Sequence, residues 1–147
     1  MKKFIVPVIN LIALVLSAVV FGLGANSAVY RGVSSNGKGN WYQLVWTIPS
    51  QPTVIGLVGF FLFCVAVFVA LVTMLPFKGR KFCVLLAGLM FVGAGVMFLM
   101  TPGAVYTGPN AASYIKSDSL IAMAVLVFVA GGLEVLGSCV ELLPEKK

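Results

Sequence analysis

Between Leu120 and Val140 the chain carries a single charged residue, Glu134, set among alanines, valines, leucines and glycines. A carboxyl in such surroundings can exchange a proton or a cation, or it can hydrogen-bond a neighbouring helix. If the run from Leu120 to Leu143 crosses a membrane, Glu134 lies nine positions before its end. That is about 13 Å of helical rise, well inside the hydrocarbon. An ionisable group there costs on the order of 2.5–3.5 kcal/mol on insertion scales, so it is expected to face the protein interior and to have a partner. Gly131, Gly137 and Ser138 lie three or four positions away, the spacing that puts residues on one helical face. Asn10, six positions into an apolar run that starts at Phe4, falls at a comparable depth and is the expected hydrogen-bond partner of Glu134. Two roles compete for this carboxyl. It couples protons or cations to a transport step, or it is a neutral acid bonding two helices, an interaction worth about 1–2 kcal/mol.

Other chemistries lack their residues. The chain has no histidine, which removes the commonest general base and metal ligand. Cys64, Cys83 and Cys139 form no C-x-x-C pair, so a membrane dithiol oxidoreductase is not expected. Gly22-Leu23-Gly24-Ala25 lies inside an apolar run and lacks the strand context of a nucleotide fingerprint. No catalytic residues, metal site or cofactor are therefore expected. The net charge of +6 follows from membrane topology and does not imply nucleic-acid binding.

The elements that must position Glu134 and Asn10 follow from composition. Of 147 residues, 61% are hydrophobic and only 10% are charged, against about 45–50% and 25% in soluble domains. Four stretches, 4–28, 54–76, 82–100 and 120–143, have the roughly 20 apolar residues that a membrane-spanning helix needs. Unbroken apolarity without period-2 alternation favours helices over barrel strands. Prolines mark the ends: Pro7 opens the first span, Pro49 and Pro52 precede the second, Pro76 closes it, Pro102 follows the third and Pro144 the fourth. Ser117, Asp118 and Ser119 offer caps to the fourth helix. Small residues recur along every span, Ala18 with Gly22 and Ala66 with Ala70 at the small-xxx-small spacing, and let helix backbones approach closely. The fold class is an all-α integral membrane protein, a single domain built as a four-transmembrane-helix antiparallel bundle.

Basic residues orient it. Lys2, Lys3, Lys78, Arg80, Lys81, Lys146 and Lys147 fall on one side, Arg31, Lys38 and Lys116 on the other, which places both termini in the cytoplasm. The inner turn is 77–81, with Lys78, Arg80 and Lys81 as its basic cluster, and the outer loops are 29–53 and 101–119. Every Trp and Tyr, namely Tyr30, Trp41, Tyr42, Trp46, Tyr106 and Tyr114, lies in those outer loops, at headgroup level. Asn36-Gly37 between β-prone runs signals a short extracellular β-hairpin; an irregular loop resting on the headgroups is the alternative. The first apolar run is longer than the core of a cleaved signal peptide. Ser27-Ala28-Val29-Tyr30 and Gly103-Ala104-Val105-Tyr106 echo one another after the first and third spans, but nothing in the second and fourth aligns at that offset.

In topology alone the plan resembles four-span proteins such as the claudin and MARVEL classes. The outer-loop cysteine pair of claudins is missing, since all three cysteines lie outside the loops. The expected function is that of a non-enzymatic accessory or scaffold protein. It would sit in the lipid bilayer and meet a membrane-protein partner, or a second copy of itself, through small-residue helix faces and aromatic outer loops. A small oligomeric transporter or channel using Glu134, Asn10 and Ser138 is the alternative, and an intramembrane enzyme ranks third. The lysine-led start and the lack of any glycosylation sequon point to a bacterial cytoplasmic membrane.

Overall fold

A computed structural model describes residues 2–26, 30–32, 38–39, 54–105, 114–116 and 118–142. Four helices dominate it: α1 (Lys2–Asn26), α2 (Val54–Val72), α3 (Arg80–Val105) and α4 (Asp118–Leu142). Each is long and apolar enough to cross a membrane, and the protein is read as a membrane protein on that ground.

Buried positions recur at alternating spacings of three and four. In α1 they are Val6, Asn10, Ala13, Ser17, Val20 and Gly24; in α2 they are Gly56, Gly59, Phe63, Ala66, Ala70 and Thr73 in the turn that follows. This spacing keeps one stripe of each helix facing its neighbours, as in coiled coils. Most of the stripe is small, so the helices approach closely without a hydrophobic driving force between them. The opposite faces are apolar and exposed, with Phe4, Val54, Phe68, Phe82 and Leu136 each more than 60% accessible, a surface suited to lipid.

The helices pack in the order α2–α3–α4–α1, and α1 meets α2 over the shortest front. Positions that touch count down one helix as they count up the next. A Cβ at Gly59 would meet Met97, one at Gly93 would meet Leu62, one at Gly95 would meet Phe128, and one at Gly88 would meet Val135. Phe63 anchors the core, its ring centroid 4.9 Å from Phe21, 5.9 Å from Phe91 and 5.7 Å from Phe98. Where α1 and α2 meet, Val20, Phe21 and Gly24 face Phe60 and Phe63 across a shallow apolar crevice that Phe98 and Met123 also line.

The helix ends differ from the proline reading in three places. α1 starts at Lys2, so Pro7 lies inside the helix and does not open it. α2 stops at Val72, four residues before Pro76, because the residue before a proline is pushed out of the α region. Residues 73–79 form the link instead, with Met74 N donating to Leu71 O (3.2 Å) and Leu75 N to Val72 O (3.1 Å). Gly79 turns the chain at φ 94°, and Arg80 and Lys81, expected in the turn, lie in the first turn of α3. At its other end α3 runs through Pro102 to Val105. Proline forfeits only its own N–H bond and crowds the preceding turn, and there Thr101 Oγ1 donates to Met97 O at 2.7 Å.

Three short strands, β1 (Tyr30–Gly32), β2 (Lys38–Gly39) and β3 (Tyr114–Lys116), form an antiparallel sheet in the order β2-β1-β3. Arg31 lies opposite Lys38 on one side and opposite Ile115 on the other. A two-residue Asn36-Gly37 turn would set residue 35, not Arg31, against Lys38, so the connection is longer than that signal implies. Residues 33–37, which contain it, lie outside the described residues.

Candidate functional site

Four buried polar residues, Asn10, Thr73, Glu134 and Ser138, lie toward the end that carries the 73–79 link, while Ser17 is mid-helix and Thr101 near the far end of α3. Among the described residues, Asn10, Ser17, Thr73, Thr101, Glu134 and Ser138 are the buried polar or charged side chains, and Asn10, Thr73 and Glu134 are fully inaccessible. Helix periodicity explains their placement. Asn10 and Ser17 occupy the inward stripe of α1, while Glu134 shares its face of α4 with Ala130, Gly131, Gly137 and Ser138. The glycines clear the space. A Cβ on Gly131 would stand 2.9 Å from Gly88 O, and one on Gly137 would rest 3.4 Å from Ile9 Cδ1.

Asn10 lies between Glu134 and Thr73. One atom of its terminal amide is 3.0 Å from Glu134 Oε2 and 3.1 Å from Val6 O; the other is 2.7 Å from Thr73 Oγ1 and 3.4 Å from Ala70 O. Thr73 Oγ1 in turn donates to Ala70 O at 2.8 Å. One side chain from α1, one from α4 and one from the end of α2 thus form a continuous hydrogen-bonded chain. Such a chain matters because lipid supplies no alternative partner for a polar group. It also ties α1 to α2, the neighbouring helices that pack over the shortest front.

A second polar layer lies closer to the link. Ser138 Oγ donates to Lys81 O at 2.9 Å, holding the first turn of α3 against α4. Arg80 pairs with Glu141 through Nη2 and Oε1, both side chains largely buried. The start of α3 carries no acidic residue, so the Glu141 carboxylate also offsets the positive helix end on which Arg80 and Lys81 sit. Lys81 Nζ stands 5.2 Å from the Phe82 ring centroid, and Lys78 is exposed in the link.

Asn10 and Glu134 are brought together, while Ser138 faces α3 and takes no part in their contact. Thr73 and Glu141 complete the two layers and were not singled out by sequence. The signal for Thr73 was there: it is the one hydroxyl residue between Val54 and Pro76. Tyr30 and Tyr114 lie in β1 and β3, with Tyr114 opposite Gly32. Trp41, Tyr42, Trp46 and Tyr106 lie outside the described residues. Among the described residues no group of three or more Cys, Asp or Glu could hold a metal ion, and the three cysteines are free thiols. The site can therefore hold a proton, orient an amide and join helices; it has no nucleophile paired with a base. The chain matches no described protein family, no curated protein sequence and no solved structure.

Proposed function

We propose that the protein is a non-enzymatic accessory or scaffold protein of the membrane, a four-span antiparallel bundle that engages a membrane partner or a second copy of itself. One observation carries this reading. Gly59, Gly88, Gly93, Gly95 and Gly131 pack against neighbouring helices, whereas Ala18 and Gly22 lie on the exposed side of α1 at the small-xxx-small spacing. That spacing is one by which helix backbones approach each other in a membrane. The positive-inside bias of Lys78, Arg80 and Lys81 supports cytoplasmic termini. A bacterial plasma membrane and a short extracellular β-hairpin in the first outer loop complete the proposal. Purification in mild detergent tests it: a stoichiometric partner or a defined homo-oligomer is expected, lost on Gly22→Leu. A monodisperse monomer with no partner would sink it.

A second reading is favoured by the buried Asn10–Glu134–Thr73 chain. In it the protein is a small oligomeric transporter or channel that couples protons or cations through Glu134. A fully inaccessible carboxyl 3.0 Å from the Asn10 amide of α1 has the buried, partnered setting in which functional intramembrane ionisable groups sit. Reconstitution into liposomes with a pH-sensitive dye is expected to show flux that Glu134→Gln abolishes. Silence under proton and sodium gradients removes this reading.

A further inference from the structure

The seam between α1 and α2 is tied at one end and open at the other. Toward the 73–79 link, Asn10 and Thr73 hydrogen-bond across it. In the opposite half the two helices leave the crevice in which Val20, Phe21 and Gly24 face Phe60 and Phe63. Three of its lining residues belong to the core: Phe63, Phe98 and Met123, from α2, α3 and α4, are each no more than 2% exposed. Every residue that lines it is apolar. A polar ligand would find no hydrogen-bond partner there, so the crevice suits an apolar chain.

Cations gather at the same end of the bundle. β1 follows α1 and β3 leads into α4, and the strand order β2-β1-β3 repeats the order α2, α1, α4 in which the helices neighbour one another. Arg31 and Lys38 take directly opposed positions of β1 and β2, and Lys116 takes the position opposed to Tyr30. Like charges at opposed positions destabilise a ladder. The first 117 residues contain no Asp or Glu, and Asp118 stands in the first turn of α4, where it complements the helix dipole. An anion from outside the chain supplies the missing charge. Lys116 precedes Asp118 by two residues, at most about 7 Å of chain. Met123 lies five residues into α4, about 7.5 Å of rise. Cation and crevice are thus within about 15 Å of each other, the hydrocarbon depth of one leaflet.

We propose that the crevice and the sheet together form a binding site for an anionic phospholipid of the leaflet away from the 73–79 link, with one acyl chain in the α1–α2 seam and the headgroup phosphate held by Arg31, Lys38 and Lys116. An uncharged apolar ligand leaves the opposed Arg31 and Lys38 uncompensated, and a free phosphate leaves the crevice unfilled; an anionic phospholipid answers both. Its phosphate takes charge-assisted hydrogen bonds from arginine and lysine alike. The bound chain completes the bundle along its shortest packing front. The site lies in the half of the seam opposite Asn10 and Thr73, so it does not depend on what Glu134 does.

Photo-crosslinking of the full chain in phosphatidylcholine liposomes tests the site. The probes are phosphatidylglycerol and phosphatidylcholine, each with a diazirine in mid-chain, and mass spectrometry maps the adducts. Phosphatidylglycerol is expected to label Phe63, Phe98 and Met123 about fivefold more than phosphatidylcholine does, the factor that one cation near a membrane surface contributes. Phe61 and Val125, exposed beside the crevice residues Phe60 and Met123, should take both probes equally. Gly24→Leu, which narrows the crevice, should abolish the core adducts and spare those at Phe61 and Val125. The triple variant Arg31→Gln, Lys38→Gln, Lys116→Gln should bring the phosphatidylglycerol adducts down to the phosphatidylcholine level, and added inorganic phosphate should leave them unchanged in wild type. If Gly24→Leu does not fold, the two probes on wild type and the charge variant decide. Equal core labelling by both probes overturns the proposal, as does a preference that survives the triple variant. Competition by inorganic phosphate would assign the cations to a free anion and remove the lipid. Labelling confined to Phe61 and Val125 would also overturn it, leaving the seam to a second copy of the chain or a protein partner.

Discussion

Gly88 and Gly131 hold α3 and α4 so close that neither position admits a side chain. A Cβ on Gly88 would lie 3.0 Å from Gly131 O, and one on Gly131 would lie 2.9 Å from Gly88 O. Both obstacles are backbone, which cannot rotate aside. The contact sits one helical turn from Glu134, so the separation of α3 and α4 also sets where the carboxyl stands.

Gly88→Ala and Gly131→Ala are each expected to lower stability by about 1–3 kcal/mol through overpacking. Gly132→Ala is the internal control, since nothing lies within 4 Å of its Cβ position; it should be neutral or slightly stabilising. Reversible unfolding in mixed detergent micelles measures all three. Equal losses at 131 and 132 would show that helix propensity, not the close approach, governs this face.

Arg80 and Glu141 are 17% and 16% exposed, too buried for an ordinary surface pair and too accessible for a fully desolvated one. A double-mutant cycle with Arg80→Ala and Glu141→Ala is expected to give a coupling of about 1 kcal/mol, decreasing with added salt. A coupling of zero at low salt would mean that Lys81 or solvent replaces either partner without loss.

Phe63 meets aromatic rings from α1 and α3. Phe63→Ala should cost about 3–5 kcal/mol, the range for deleting a buried aromatic side chain. Phe63→Leu keeps most of the volume and should cost less than half as much. Thermal unfolding of the purified protein reads both; similar losses would indicate that ring geometry outweighs volume here.

Gly79, at φ 94°, reverses the chain between α2 and α3. Gly79→Ala is expected to cost about 1–2 kcal/mol for forcing a side chain into the left-handed region. Because Phe82 N and Cys83 N both point to Gly79 O (2.9 and 3.4 Å), the variant should also speed hydrogen exchange at the first turn of α3. Unchanged exchange there would localise the strain to the link.

Much of this architecture is legible by counting. Four apolar runs give four helices, and the rise of 1.5 Å per residue suffices to set Asn10 level with Glu134. Thr73 escapes such counting because a hydroxyl near a span's end reads as part of the following link. Its role depends on α2 stopping at Val72, and that boundary is shifted by Pro76 through the conformation of the residue before it. Arg80 and Lys81 escape for a related reason: charge assigns them to a side of the membrane, while the helix start is set by Gly79. Pro102 misleads in the other direction, since a proline near a helix's end need not terminate it. The strand register also lay beyond a local turn signal, because β1 is held by β3 as well as by β2.

That three-stranded sheet has a consequence for biosynthesis. β1 follows α1, and its partner β3 directly precedes α4. α1 likewise has its main packing neighbour in α4. α1 is therefore without its principal neighbour until α4 has been made. Closing such distant pairings is entropically slow, and the intermediate chain exposes the inward stripe of α1, Asn10 included, to lipid and to the insertion machinery. Truncation ahead of Asp118 would leave that half-assembled state permanent, with the inward stripe of α1 never covered by its main neighbour.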